Sequence, residues 1–291
     1  VGYFGLTFAW TWSLWWAAAA IQVPDWLLFM LFMTGGLGPL VGTAWVLHRG
    51  DCAYRRAFLR RIWDPRGVSM HWWVALVAVA AGPAVLGSAV ARLTGTAVSI
   101  PDYRPETVGS VVVFALAAGL AEEPGWRGAA SDVWQVRTRP VWAAFGIGLL
   151  WALWHLPLYF VDGSYQHGLG FGSARFWLFS LALVELGVLY VWLATSSGGS
   201  ILVAILAHAG FNAAGELVPR STTGDVTALV LLTAATLVMV AATRGRLGSA
   251  AATSSDGRPG PLPVDAGAPV EDLSRPLSPR AMPCRRGVSG S

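Results

Sequence analysis

Lysine is missing from this chain: all 20 basic residues among its 291 are Arg. With abundant Ala and Gly, that bias suggests a GC-rich bacterial genome and says nothing about chemistry. Charge of either sign is scarce. Only 12% of residues are charged, against about a quarter in a soluble domain, which excludes an ordinary water-soluble fold. Cysteine is nearly absent as well. Cys52 and Cys284 lie far apart, both in segments read as cytosolic, where thiols stay reduced, so no disulfide is expected. Neither sits in an apolar span beside a His, and no Ser has a base at a recognisable spacing, which leaves Cys and Ser nucleophiles without support. His-Glu-x-x-His does not occur, and no segment repeats at a fixed period. No basic stretch precedes the apolar run from Val1 to Ala20, which reads as a span rather than a cleavable signal.

What the chain has in quantity is hydrocarbon. Hydrophobic residues make up 55%, mean hydropathy is +0.55, and there are 16 Trp, a residue that concentrates at membrane interfaces. Runs long enough to cross about 30 Å of bilayer occur near residues 3–22, 25–47, 70–93, 108–130, 141–161, 174–195, 200–219 and 225–243. The fold class expected is therefore all-α, a polytopic transmembrane helix bundle of about eight membrane-spanning helices. Arg49, Arg55, Arg56, Arg60, Arg61 and Arg66 crowd the connector from Arg49 to Ser69 against Asp51 and Asp64, so that loop reads as cytosolic. Alternating from it puts Arg137, Arg139, Arg244, Arg246 and both termini in the cytosol, with the protein in the cell (plasma) membrane. This topology accounts for the net charge of +4 and the pI near 9.5, and no nucleic-acid partner is expected. Tyr54, Phe58 and Ile62 recur every fourth residue, which suits either a helix lying in the headgroup layer or a plain topogenic loop. Residues 1–243 form the expected membrane domain. Residues 244–291, rich in Gly, Pro, Ser and Arg without apolar periodicity, read as a disordered cytosolic tail.

A charge at the middle of a membrane helix costs about 3 kcal/mol even on lenient scales, so each one inside a span needs a reason. The fourth span carries Glu122, Glu123 and Arg127, the fifth His155, the sixth Glu185, and the seventh His208 and Asn212. At about 100° per residue, Glu123 and Arg127 share a face and can pair, while Glu122 points roughly 140° away from Arg127. Glu123 is then structural and Glu122 is free. Pro124 removes a backbone donor beside them, so the span should kink or break there, which at membrane depth requires a cavity at Glu122. His208 and Asn212 also share a face. Counted from the cytosolic ends, His155 comes out deeper than Glu122 and His208. Glu185 has no motif partner and reads as a packing or cavity-lining carboxylate.

Glu122-Glu123-x-x-x-Arg127, then Trp151-x-x-x-His155, then His208-x-x-x-Asn212, each on its own helix and in this order, resembles the CPBP family, the CAAX prenyl endopeptidases and their bacterial relatives. The likeness runs over residues 108–219. It implies a membrane-embedded endopeptidase acting on a membrane-associated protein or peptide. Carried over by motif, Glu122 would be the general base on water, His155 would hold that water, and His208 and Asn212 would stabilise the oxyanion. Glu123 and Arg127 would support them. The family's second motif usually begins with Phe, and Trp151 at that position is expected to alter packing near His155 more than chemistry. The family is often called a metalloprotease, and Glu122, His155 and His208 offer the ligand set of a catalytic Zn²⁺ site; the same residues also suit a metal-independent glutamate protease, so the cofactor is none or zinc. The rival function is a transporter or a bacteriocin-immunity or binding protein using the same polar cluster. Against it, no paired halves or repeated discontinuous helices are visible.

Overall fold

A computed structural model describes residues 2–135 and 137–248. The expected tail from 249 onward lies outside the described residues, as does Cys284, on which the expectation of unpaired cysteines turns. The described chain is α-helical throughout, with one isolated bridge, Ser99 to Arg220, in place of a sheet.

Each expected span is found as helix. The first is α1 (Gly2–Ala20); the second is two helices, α2 (Asp25–Gly35) and α3 (Gly38–Arg49), separated at Gly36 and Leu37. The connector forms α4 (Cys52–Trp63), whose N-terminus is capped by the Asp51 side chain accepting from the Tyr54 N–H. Beyond it come α5 (Met70–Leu93) and α6 (Pro105–Glu123), the latter running through a π-helical segment at Pro124–Ala130 into α7 (Ser131–Gln135). Next, α8 (Pro140–Trp154) passes into a 3₁₀ turn at Leu156–Phe160 and the short α9 (Tyr165–Leu169). The last three are α10 (Ala174–Ser196), α11 (Ile201–Leu217) and α12 (Thr222–Ala242). Among the described residues, six helical stretches are long and apolar enough by length and composition to cross a bilayer; α1 is not among them, α11 is apolar but shorter, and the expected count of eight is not confirmed.

Three differences from the sequence reading bear on the site. Pro124 does not break the fourth span. Its missing N–H is absorbed by a widened π turn, and one continuous helical stretch runs from Pro105 to Gln135. That extension puts Glu122 13 residues from the Gln135 end, beside the 15 residues that separate His155 from Pro140. At about 1.5 Å per residue the two depths agree to within a few Å, which removes the mismatch between Glu122 and His155 inferred from the shorter span.

The second difference is α4. Its apolar face does not rest on lipid: Phe58 and Ile62 are buried against Ile201 and Ile205 at the start of α11. Arg61 ties the same helix down, donating from Nη1 to both oxygens of Asp132 at 2.9 and 2.7 Å and from Nε to the Gly199 carbonyl at 2.6 Å. Burial works against the charged guanidinium, but Asp132 more than offsets it and Arg61 is held above its ordinary pKa. Burial together with the same carboxylate pushes the Tyr54 phenol well above its usual value. The α4 helix thus seals the end of α11, which explains how so short a helix can begin below the bundle surface. The third is the segment after α12: Leu247 is fully buried and the Gly245 carbonyl accepts from the Val141 N–H at 3.2 Å, so the chain folds back onto the start of α8.

Small residues set the helix spacings that matter. Where α8 meets α10, a Cβ added to Gly187 would stand 2.6 Å from the Gly148 Cα. Where α6 meets α11, a Cβ on Gly119 would stand 2.6 Å from the Ile205 carbonyl oxygen. These close approaches bring Trp151, Tyr190, Glu123 and His208 within reach of one another.

Candidate active site

All seven residues singled out in the three motifs converge on one place. Glu122 is buried at the end of α6, and its Oε2 accepts a hydrogen bond from the Trp151 indole N–H at 2.5 Å. Trp151 therefore does more than pack: a Phe in its place could fill space but could not donate. That bond adds a polar contact to the packing change expected of this position.

Glu123 is fully buried and pairs with Arg127, Nη1 to Oε1 at 2.9 Å, as helical spacing predicts. The same Oε1 also meets His208 Nδ1 at 2.7 Å, a contact the spacing within one helix could not reveal. The Arg127 guanidinium lies 4.4 Å from the Trp151 ring centre and 5.0 Å from that of Tyr190, so it is held between two aromatic faces while its charge is met by Glu123. Tyr190 in turn stacks on His208, with centroids 6.0 Å apart and planes 26° from parallel. No motif pointed to Tyr190. Its only signal in the sequence is a hydroxyl-bearing aromatic in an otherwise apolar stretch of α10.

Hydrogen bonding fixes the histidine tautomers. His155 ends α8, and its Nδ1 lies 2.8 Å from the Trp151 carbonyl. A carbonyl only accepts, so Nδ1 carries the proton and Nε2 of the neutral ring presents a lone pair. For His208, Nδ1 likewise faces the Glu123 carboxylate, leaving Nε2 for other partners. Trp151 thus touches the site three ways, through its indole to Glu122, its carbonyl to His155 and its ring 5.3 Å from that of His208.

The group stands at one end of a cavity of about 1060 Å³. Glu122, Trp151, His155, His208 and half-buried Asn212 line it, together with Tyr190. Much of its remaining wall is Ala, Leu, Val and Phe, with α6, α10 and α12 contributing many of them, and it extends to Thr107, Gln166, Arg175 and Arg220 at the other end of the bundle. The cavity expected at Glu122 is present. Glu185 is not on its wall: it accepts from the Thr233 hydroxyl at 2.6 Å and links α10 to α12.

The conditional zinc set fares differently. Both histidines hold Nδ1–H on an oxygen acceptor, as metal-binding imidazoles do. Yet among the described residues no three His, Cys, Asp or Glu side chains gather as a metal-holding group, Glu122, His155 and His208 included. The side chains do not fit a three-ligand ion.

An all-α, multi-pass membrane protein with a buried acid and histidine cluster at the head of an apolar cavity is the class these observations define. A family model described as type II CAAX prenyl endopeptidase Rce1-like matches residues 104–214, which span all three motifs. CAAX prenyl protease 2 of Methanococcus maripaludis is 26% identical, over an alignment covering 81% of this chain and 92% of that protein. Both likenesses are to CAAX prenyl endopeptidases of the CPBP type, and they support a membrane-embedded endopeptidase.

Proposed function

We propose that Glu122 is the general base of peptide hydrolysis in this protein and that Trp151 selects which of its oxygens acts. The observation that carries the reading is the 2.5 Å indole hydrogen bond to Oε2 at the cavity wall. With Oε2 occupied, Oε1 takes the proton from a water that also donates to the lone pair on His155 Nε2. Hydroxide adds to the scissile carbonyl carbon. The oxyanion is met by the Asn212 amide and by His208, whose ring, protonated on both nitrogens beside the Glu123 carboxylate, donates from Nε2. Collapse breaks the C–N bond, and the leaving amine takes the proton back from Glu122. Glu123 and Arg127 hold His208 and the π turn and do not touch substrate.

The apolar wall suits a membrane-associated protein or peptide whose residues beside the scissile bond are hydrophobic. In a plasma membrane with the Arg-rich connector and both termini in the cytosol, the cavity opens toward the opposite face, at Gln166 and Arg175. Residues 1–243 form the protease domain, residues 244–248 fold back onto it, and the chain beyond lies on the cytosolic side.

Comparison of membrane peptides from cells carrying the wild-type protein and the Glu122→Ala variant tests the reading. Precursors should accumulate in the variant, and each should regain its shorter form when the wild-type protein is restored. Identical peptide profiles would count against it.

A further inference from the structure

The six Arg of the connector are unequal. Arg49 stacks on Trp45 at 4.9 Å. Arg55 donates to the carbonyls of Leu47 and His48, both at 2.6 Å, finishing α3. Arg61 is spent on Asp132 and Gly199. Arg56, Arg60 and Arg66 remain, exposed and without an ion pair to any acid among the described residues.

These three lie together. Arg56 and Arg60 are one turn apart on the outward face of α4. Arg60 and Arg66 line a surface cleft of about 390 Å³ with Leu59, Trp63, Asp64 and Pro65. Trp63 is 63% exposed and Leu59 48%, so large apolar groups stand beside unpaired guanidinium groups. Asp64 is the one acid in the cleft, and it accepts from the Arg66 backbone N–H at 3.0 Å. Because α4 joins the end of one membrane stretch, at Arg49, to the start of another, at Met70, it lies at headgroup level. Its inner face is closed by protein, which leaves Leu59 and Trp63 on the outward face, where an indole and a Leu suit the bilayer boundary.

We propose that this outward face is a binding site for an anionic phospholipid. Arg60 and Arg66 hold the headgroup phosphate by charge-assisted hydrogen bonds, Arg56 adds a third positive charge one turn along, and Trp63 and Leu59 seat at the acyl boundary. Three guanidinium groups against one carboxylate favour an anionic headgroup over a zwitterionic one. Charge arranged only to orient the chain would not need Arg55 and Arg61 committed to protein acceptors while Arg60 and Arg66 flank an exposed indole.

The test uses the full chain, delipidated in detergent and titrated with phosphatidylglycerol or phosphatidylcholine while bound lipid is counted by native mass spectrometry. Wild-type protein should retain about one phosphatidylglycerol at concentrations where phosphatidylcholine is lost. R60Q/R66Q should weaken that retention at least tenfold. R137Q/R139Q removes two exposed charges proposed for the same membrane face and should retain lipid as the wild type does. Equal loss in both double variants, no loss in R60Q/R66Q, or equal retention of the two lipids would overturn the proposal. None of these readouts depends on proteolysis.

Discussion

Replacing Trp151 by Phe isolates one hydrogen bond. Phe keeps an aromatic face for the Arg127 guanidinium, 4.4 Å away in the wild type, and keeps the backbone carbonyl that orients His155. It removes the donor on Glu122 Oε2. A hydrogen bond to a charged group contributes about 1.5–3 kcal/mol. If that contribution is what keeps the other oxygen aimed at the water, its loss lowers kcat by about 10- to 150-fold. Because the indole binds the acid and not the substrate, KM should stay within about twofold, as expected for an interaction that aids only the reacting state. The assay is cleavage of an apolar reporter peptide in proteoliposomes, with the melting temperature measured in parallel. Trp154→Phe is the control: its indole is equally buried but donates to the Thr11 hydroxyl at 2.8 Å, so it should change stability with little effect on kcat. A Trp151→Phe enzyme with wild-type kcat, or one whose loss lies wholly in KM, would refute the reasoning.

Other outcomes follow from the same contacts. Asp132→Ala leaves Arg61 part-buried without its carboxylate and should lower stability by about 1–3 kcal/mol, read by thermal or denaturant unfolding. Gly187→Val forces side-chain atoms against the Gly148 backbone and should cost about 1–3 kcal/mol while lowering cleavage, since α10 carries Tyr190 against His208. Glu185→Gln preserves an acceptor for Thr233 and should leave cleavage unchanged in the proteoliposome assay. Exhaustive chelation should leave activity intact, and the purified protein should contain no stoichiometric zinc by elemental analysis; loss on chelation with recovery on adding zinc would contradict the reading of the side-chain geometry. A Cys at Arg175 should react with a membrane-impermeant maleimide added outside intact cells, and a Cys at Arg60 should not.

The membrane class, the helices and the three motif residues Glu122, His155 and His208 were legible because each leaves a local mark: an apolar run of bilayer length, or a charge where charge is costly. The Glu123 to Arg127 pair was legible because four residues is one helical turn. What escaped depended on which helices touch. Nothing in α11 alone says that His208 Nδ1 meets Glu123, and nothing in Trp151-x-x-x-His155 says that the indole reaches α6. The partner of the Phe58 and Ile62 face of α4 escaped for a related reason. An amphipathic pattern gives an apolar face but not its partner, and here the partner is Ile201 and Ile205 rather than lipid. The π turn was anticipated only as a disruption, since Pro124 signals a lost N–H and not how the helix repairs it.

The central claim is that Glu122 takes the proton from the attacking water. Its most direct test is single-turnover cleavage by Glu122→Gln, which retains shape and can still accept from Trp151 but has no carboxylate to act as base. A fall of about 10²- to 10⁴-fold in the chemical step is expected, with substrate binding unchanged. Cleavage within a few fold of wild type would mean that another group activates the water.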